Sequence, residues 1–142
     1  MIEFYDTSAL LAHCDEITSD IWVSEVSVQD LEKMAMDQTI DEVRTVAQVA
    51  LAKIRTKEPI VVLLEDAITW YEGNAGLESY YEVSRLSNRD FLSVILTAYY
   101  IKSICDEEFV FYTESYLSYI NAKSLYFDLN TKISYIGEIE ND

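Results

Sequence analysis

Ile2-Glu3-Phe4-Tyr5-Asp6-Thr7-Ser8-Ala9-Leu10-Leu11 is the stretch on which the architecture turns. Its first four residues are β-prone, with apolar side chains at Ile2 and Phe4, and read as a short strand. The run stops at Asp6-Thr7-Ser8, whose side-chain oxygens suit a helix N-cap. Ala9-Leu10-Leu11-Ala12-His13-Cys14 can then follow as a short helix. A strand leading straight into a helix through an acidic residue is how an α/β chain begins.

The rest of the chain continues the alternation. Ile21-Trp22-Val23-Ser24 is a brief extended piece, and a helix starts near Ser27 with apolar positions at Val28, Leu31, Met34 and Ala35. A further helix covers about Thr39 to Thr56. Its Ile40, Val43, Val46-Ala47, Ala50-Leu51 and Ile54 form one apolar stripe, and Glu58-Pro59 ends it. Ile60-Val61-Val62-Leu63-Leu64 has the length and continuous apolarity of a buried parallel strand. Weak helical signals from Glu65 to Leu86 are broken near Gly73-Asn74-Ala75-Gly76. Ser87-Asn88 opens a strong helix through Phe91, Val94-Ile95, Ala98-Tyr99 and Ile101. Phe109-Val110-Phe111-Tyr112 is a strand ending at Thr113-Glu114-Ser115, with a short helix to about Ala122, then Leu125-Tyr126-Phe127 and a last strand near Ile133 to Ile136. Strands alternating with helices predict a mostly parallel sheet with helices on both faces, and ligands in such sheets gather beyond the carboxyl ends of the strands.

Composition narrows the class. The chain has 142 residues, half of them hydrophobic, with one proline and three glycines, which suits a single domain over residues 1–142 with a real core. No run reaches the roughly 20 apolar residues that span a bilayer, and the N-terminus lacks the pattern of a secretory signal. Cys14 and Cys105 have no CxxC spacing and read as reduced structural residues, so a cytoplasmic location without membrane attachment is expected. The formal net charge is −16, and the first 32 residues carry eight acidic side chains and no Lys or Arg. Such a surface repels phosphate backbones and favours a cation or a basic protein partner.

Polar and acidic residues recur where the ligand crevice should lie: Asp6 after the first strand, Asn88 and Asp90 at the start of the strong helix, and Thr113-Glu114-Ser115 after a later strand. Asp30 and Glu32 flank Leu31 in the early helix. Carboxylates brought together repel one another, and a hard divalent cation relieves that repulsion. Taken alone, each has a plainer use. Asp6 can cap a helix, Asp90 can complement a helix N-terminus, Ser115 can cap the helix after it, and Glu32 can pair with Lys33. A lone histidine, His13, excludes a two-histidine nuclease and a His-based zinc site. Without a glycine-rich loop or a G-x-S-x-G turn, nucleotide-fold and serine-hydrolase chemistry are excluded as well. Trp22, Trp70, Tyr80-Tyr81 and Tyr99-Tyr100 are candidates for base stacking, with core packing as their commoner use. Lys53, Arg55 and Lys57 cluster at one helix end and can contact a phosphate or complement that helix terminus.

Phe4-Tyr5-Asp6-Thr7-Ser8-Ala9-Leu10-Leu11 closely resembles the opening of PIN domains, the ribonuclease fold of many toxin–antitoxin toxins and RNA-processing factors. Ser27-Val28-Gln29-Asp30-Leu31-Glu32-Lys33, Leu86-Ser87-Asn88-Arg89-Asp90-Phe91-Leu92 and Val110-Phe111-Tyr112-Thr113-Glu114-Ser115 resemble the second, third and fourth motifs, in family order. The resemblance implies a three-layer α/β/α sandwich and a metal-dependent endoribonuclease acting on RNA with Mg²⁺ or Mn²⁺. An antitoxin or other basic protein, and a second copy in a homodimer, are the partners it implies. Asp6 takes the place of the central metal-binding acid, Asp30 a place usually held by Glu, and Asp90 the third, with Asn88 competing in another register. Thr113 matches a polar position that steadies the site. Ser115 stands where the family commonly has Asp or Asn, with Glu114 as the nearest substitute charge. A catalytically degenerate PIN-like domain serving as a protein-interaction module is the alternative.

Overall fold

The computed structural model describes residues 2–17, 20–73, 89–118, 120 and 132–135, with backbone alone at 72, 89–92 and 132–135. In chain order the elements are β1 (Ile2–Tyr5), α1 (Thr7–His13), a 3-10 turn (Cys14–Glu16), β2 (Ile21–Ser24), α2 (Glu25–Ala35) and α3 (Asp41–Thr56). They continue with β3 (Ile60–Val62), α4 (Leu64–Glu72), α5 (Arg89–Ile104), β4 (Phe109–Thr113) and β5 (Lys132–Tyr135). The five strands form one sheet in the order β3-β2-β1-β4-β5, and every pairing is parallel.

Side chains alternate across β1, and that alternation builds the two faces. Ile2 and Phe4 point into a cluster with Phe109, Phe111, Val94, Ile95, Ala98 and Ile101, so α5 covers this side. Tyr5, with Ile21 and Val23 of β2, faces Leu10, Leu31, Ala50, Leu51 and Ile54 from α1, α2 and α3. The rings of Phe4 and Phe111 meet edge to face at 5.5 Å, and Tyr5 stacks on Tyr112 at 4.7 Å. The result is a three-layer α/β/α sandwich with β1 at its centre.

Three elements depart from the sequence expectation. Helix α2 begins at Glu25, ahead of Ser27, because the Ser24 hydroxyl accepts from the Val26 N–H and caps it early. The apolar stripe of α3 is only partly core. Ala47, Ala50, Leu51 and Ile54 are buried, whereas Ile40, Val43, Val46 and Val49 are exposed. The buried and exposed sets drift apart around a helix that sits on the sheet by one flank. The apolar run at 60–64 also divides. Ile60 and Val61 are exposed because β3 is an edge strand with a single neighbour, and Leu64 already belongs to α4. The Leu64 N–H donates to Glu25 Oε1 at 2.7 Å, so a carboxylate from α2 caps α4 from across the fold. Of the weak helical signals between Glu65 and Leu86, the part up to Glu72 lies within α4; 74–86 and the Leu125-Tyr126-Phe127 segment lie outside the described residues. Among the described residues no helix is long and apolar enough to cross a membrane.

Candidate metal centre at Asp6

Register places the site. Tyr5 pairs with Val23 on one side and Tyr112 on the other, so the next residues, Asp6, Ser24 and Thr113, form a row across the carboxyl edge of the sheet. The chain order reverses direction around β1, which makes this edge the switch point where parallel α/β sheets bind ligands.

Asp6 is buried and caps α1. Its Oδ1 accepts from the Ala9 N–H at 2.9 Å and from Ser8 Oγ at 2.7 Å, and its Oδ2 accepts from Thr113 Oγ1. The sequence offered Asp6, Thr7 and Ser8 for this cap; the structure gives it to Asp6. Ser8 Oγ in turn accepts from the Glu114 N–H at 2.9 Å, and Thr113 Oγ1 accepts from the Ser115 N–H at 3.1 Å. Both hydroxyl protons are directed at Asp6, so the two hydroxyl oxygens, 3.3 Å apart, are in contact without a proton between them. A carboxylate offers about four acceptor positions, and three are used here.

Burial pushes the Asp6 carboxyl above its ordinary pKa of 3.8, and the bonds from Thr113, Ser8 and Ala9 oppose that rise without cancelling it. Among the described residues, these influences on it include no positive charge. A buried acid with an open acceptor position and only neutral donors around it among the described residues fits a hard divalent cation, whose oxygen preference and charge supply what hydrogen bonds do not.

Asp30 is brought to the same end of the sheet by Thr7, whose Oγ1 donates to Ser27 Oγ at 3.0 Å and lies 3.4 Å from Asp30 Oδ2. Asp90 is the second residue of α5, and only its backbone is described. Thr97, further along α5, has its Oγ1 3.3 Å from Ser24 Oγ at the end of β2. Asp90 precedes Thr97 by seven residues, about 10 Å of helix, on the end of α5 that precedes β4 by the whole helix length. Asn88 lies outside the described residues. Among the described side chains no three His, Cys, Asp or Glu gather closely enough to hold an ion.

The fourth segment behaves differently from an acidic motif. Ser115 Oγ accepts from the Ser118 N–H at 3.2 Å and caps the helical residues that follow. The Glu114 side chain turns to His13, with Oε1 3.4 Å from Nε2, while His13 Nδ1 sits 3.0 Å from Glu16 Oε2. Glu32 pairs with Arg55 at 3.3 Å, and Lys53 pairs with Asp15, so two of the clustered basic residues hold acidic segments of this chain. Thr7, Ser8, Ser27 and Thr97 were not singled out by the sequence as site residues. Thr97 carries a local signal, a hydroxyl inside the apolar run Val94-Ile95-Leu96-Thr97-Ala98.

A parallel sheet in this order, flanked by helices on both faces and ending in a buried acid on its central strand, is a PIN-like fold. Among solved structures the chain is similar to a member of the VapBC family of toxin-antitoxin systems, VapBC-5, from Mycobacterium tuberculosis. The TM-score is 0.58, with 16% sequence identity across 95% of this chain and 97% of that one. No protein-family model and no curated protein sequence matches.

Proposed function

We propose that this protein is a divalent-cation-dependent endoribonuclease, the toxin of a toxin–antitoxin pair, with Asp6, Asp30 and Asp90 as the acids that hold Mg²⁺ or Mn²⁺. The observation that carries this is the buried Asp6 carboxylate at the end of the central strand, held among the described residues by neutral hydrogen-bond donors alone. The VapBC likeness in fold supports the toxin role and an antitoxin partner.

Each candidate site residue has a task in this reading. Thr113 and Ser8 fix the Asp6 carboxylate and leave one acceptor position on Oδ2 open. Thr7, at the start of α1, donates to Ser27 and lies 3.4 Å from Asp30 Oδ2, which supports Asp30 as a second acid offered from α2. Asp90 supplies the third from α5, with Asn88 beside it in sequence. A bound divalent cation lowers the pKa of a water and offsets charge on the phosphodiester oxygens.

The second reading, a PIN-like interaction module, is favoured by one feature. The turn after β4 sends Glu114 to His13 and uses Ser115 as a cap, so it adds no carboxylate at Asp6. Titrating Mn²⁺ while following thermal melting and cleavage of single-stranded RNA separates the two. The enzyme reading expects metal-dependent stabilisation and cleavage, both lost in Asp6→Asn. Stabilisation without cleavage selects the interaction module, and neither effect sinks the metal site altogether.

A further inference from the structure

The margin of the sheet at β3 is apolar and open. Residues 59–64, Pro-Ile-Val-Val-Leu-Leu, carry no charge in a chain whose formal net charge is −16. β2 is the only strand beside β3, so half of the N–H and C=O groups of β3 point out of the sheet. Ile60, Val61 and Leu63 are 46%, 44% and 47% exposed. Proteins usually guard such an edge with charged side chains, Lys above all, and Ile60–Val62 has none.

A cavity of about 260 Å³ lies beside this edge. Pro59 and Val61 wall it on the strand side, and Leu10, Leu31, Leu51 and Ile54 wall it on the helix side. Arg55 is its one charged lining residue, and its guanidinium is paired with Glu32. Small-molecule sites usually run to roughly 300–1,000 Å³, so this cavity is better matched to a side chain. Val61 pairs with Val23, which packs in the same layer as Leu10, Leu51 and Ile54. Leu63 is still extended, at φ −76° and ψ 136°, before α4 begins. Alternation along an extended chain therefore puts Pro59, Val61 and Leu63 on the cavity side of the sheet. One stretch carries both a hole and, two residues beyond Val61, an exposed leucine.

We infer that two copies of this chain associate through β3, paired antiparallel about a two-fold axis that passes Val61 normal to the sheet. In this register Val61 of each copy faces the other, and Leu63 of each copy lies opposite Pro59 of the other, beside the cavity. Lys57 stands four residues before Val61 and Glu65 four after it, so opposite charges meet at both ends of the contact. Moving the axis to Ile60 sets Lys57 against Leu63, and moving it to Val62 sets Glu65 against Pro59. A two-fold contact must be complementary to itself, and here the open edge, the leucine, the cavity and the two charges all belong to one surface. The uncharged centre also lets two strongly acidic chains meet with little repulsion. The two sheets become one of ten strands, and the Asp6 ends of the two central strands point in opposite directions, about 24 Å apart across the sheet. Each candidate metal centre stays within one copy, so the association stands apart from the ribonuclease reading.

The test is sedimentation velocity of the full chain over a concentration series, with circular dichroism as the check on folding. The wild type is expected to form a dimer that dissociates on dilution. Val61→Lys sets two lysines against each other at the axis and is expected to raise the dissociation constant by at least about 100-fold. Lys57→Glu should weaken the dimer, and adding Glu65→Lys should restore it. On oxidation Val61→Cys should give a disulfide-linked dimer, because directly opposed Cβ atoms lie about 4.5–5.5 Å apart. Ile60→Cys should not, since its two copies lie beyond the roughly 7 Å that a disulfide spans. The unsubstituted chain controls for Cys14 and Cys105. A wild type that stays monomeric up to about 1 mM overturns the proposal. So does a dimer that Val61→Lys leaves intact, or one that cross-links through residue 60 in place of 61. A paired charge reversal that fails to restore association overturns the register.

Discussion

Asp6 uses one carboxylate for two purposes. Oδ1 caps α1, and Oδ2 accepts from Thr113 with one acceptor position left over. Because burial raises its pKa above 3.8, the folded protein binds a proton at Asp6 more tightly than the unfolded chain does. The contribution of this group to stability is therefore fullest below pH 3.8 and declines as pH rises through the higher folded value. Asp6→Asn removes that titration while its amide can still accept from Ala9 and Ser8. Without divalent cations, the variant is expected to be more stable than wild type at pH 7, with the gap closing as the pH falls toward 3.8. Urea midpoints at a series of pH values measure it, and a gap that widens on acidification would contradict the buried-charge account. Asp6 was legible in the sequence because a short apolar run ending in an acid is a local pattern. Its partners were not, since Thr113 lies 107 residues away and only the strand register brings it alongside.

At the scale of elements, α3 separates periodicity from burial. Its apolar residues recur at helical spacing from Ile40 to Ile54, yet only Ala47, Ala50, Leu51 and Ile54 meet the sheet side. Leu51→Ala is expected to cost about 2–5 kcal/mol through lost burial and the cavity left behind. Val46→Ala, at an exposed position, should stay within about 0.5 kcal/mol. Denaturant midpoints at unchanged slope distinguish these outcomes. A Val46→Ala cost matching that of Leu51→Ala would mean that this flank is covered in solution. The helix itself was readable because spacing is a property of its own residues. How far the stripe is buried was not, because that depends on which flank α1, α2 and the sheet leave open. The edge position of β3 is the same kind of fact: Ile60-Val61-Val62 looks like an interior strand, and only the sheet order puts it at the margin.

At the scale of the whole molecule, 26 acidic side chains against 10 basic ones strain the folded state through mutual repulsion. Part of this is offset internally, where Lys53 and Arg55 of α3 reach back to Asp15 and Glu32 in the strongly acidic first part of the chain. The rest responds to salt, since the screening length falls from about 10 Å at 0.1 M to about 3 Å at 1 M. Raising KCl should therefore increase the melting temperature of wild type and Asp6→Asn alike. A cation bound at a defined site adds a separate, saturable increment that follows RT ln(1 + [M]/Kd) and does not track ionic strength. With ionic strength held constant, Mn²⁺ should stabilise wild type beyond the KCl effect and reach a plateau, while Asp6→Asn follows KCl alone. Equal stabilisation of both proteins by Mn²⁺ would locate the effect on the diffuse acidic surface. A wild-type-only increment would locate it at the end of β1, where the Asp6 carboxyl is buried and its partners among the described residues are neutral hydrogen-bond donors.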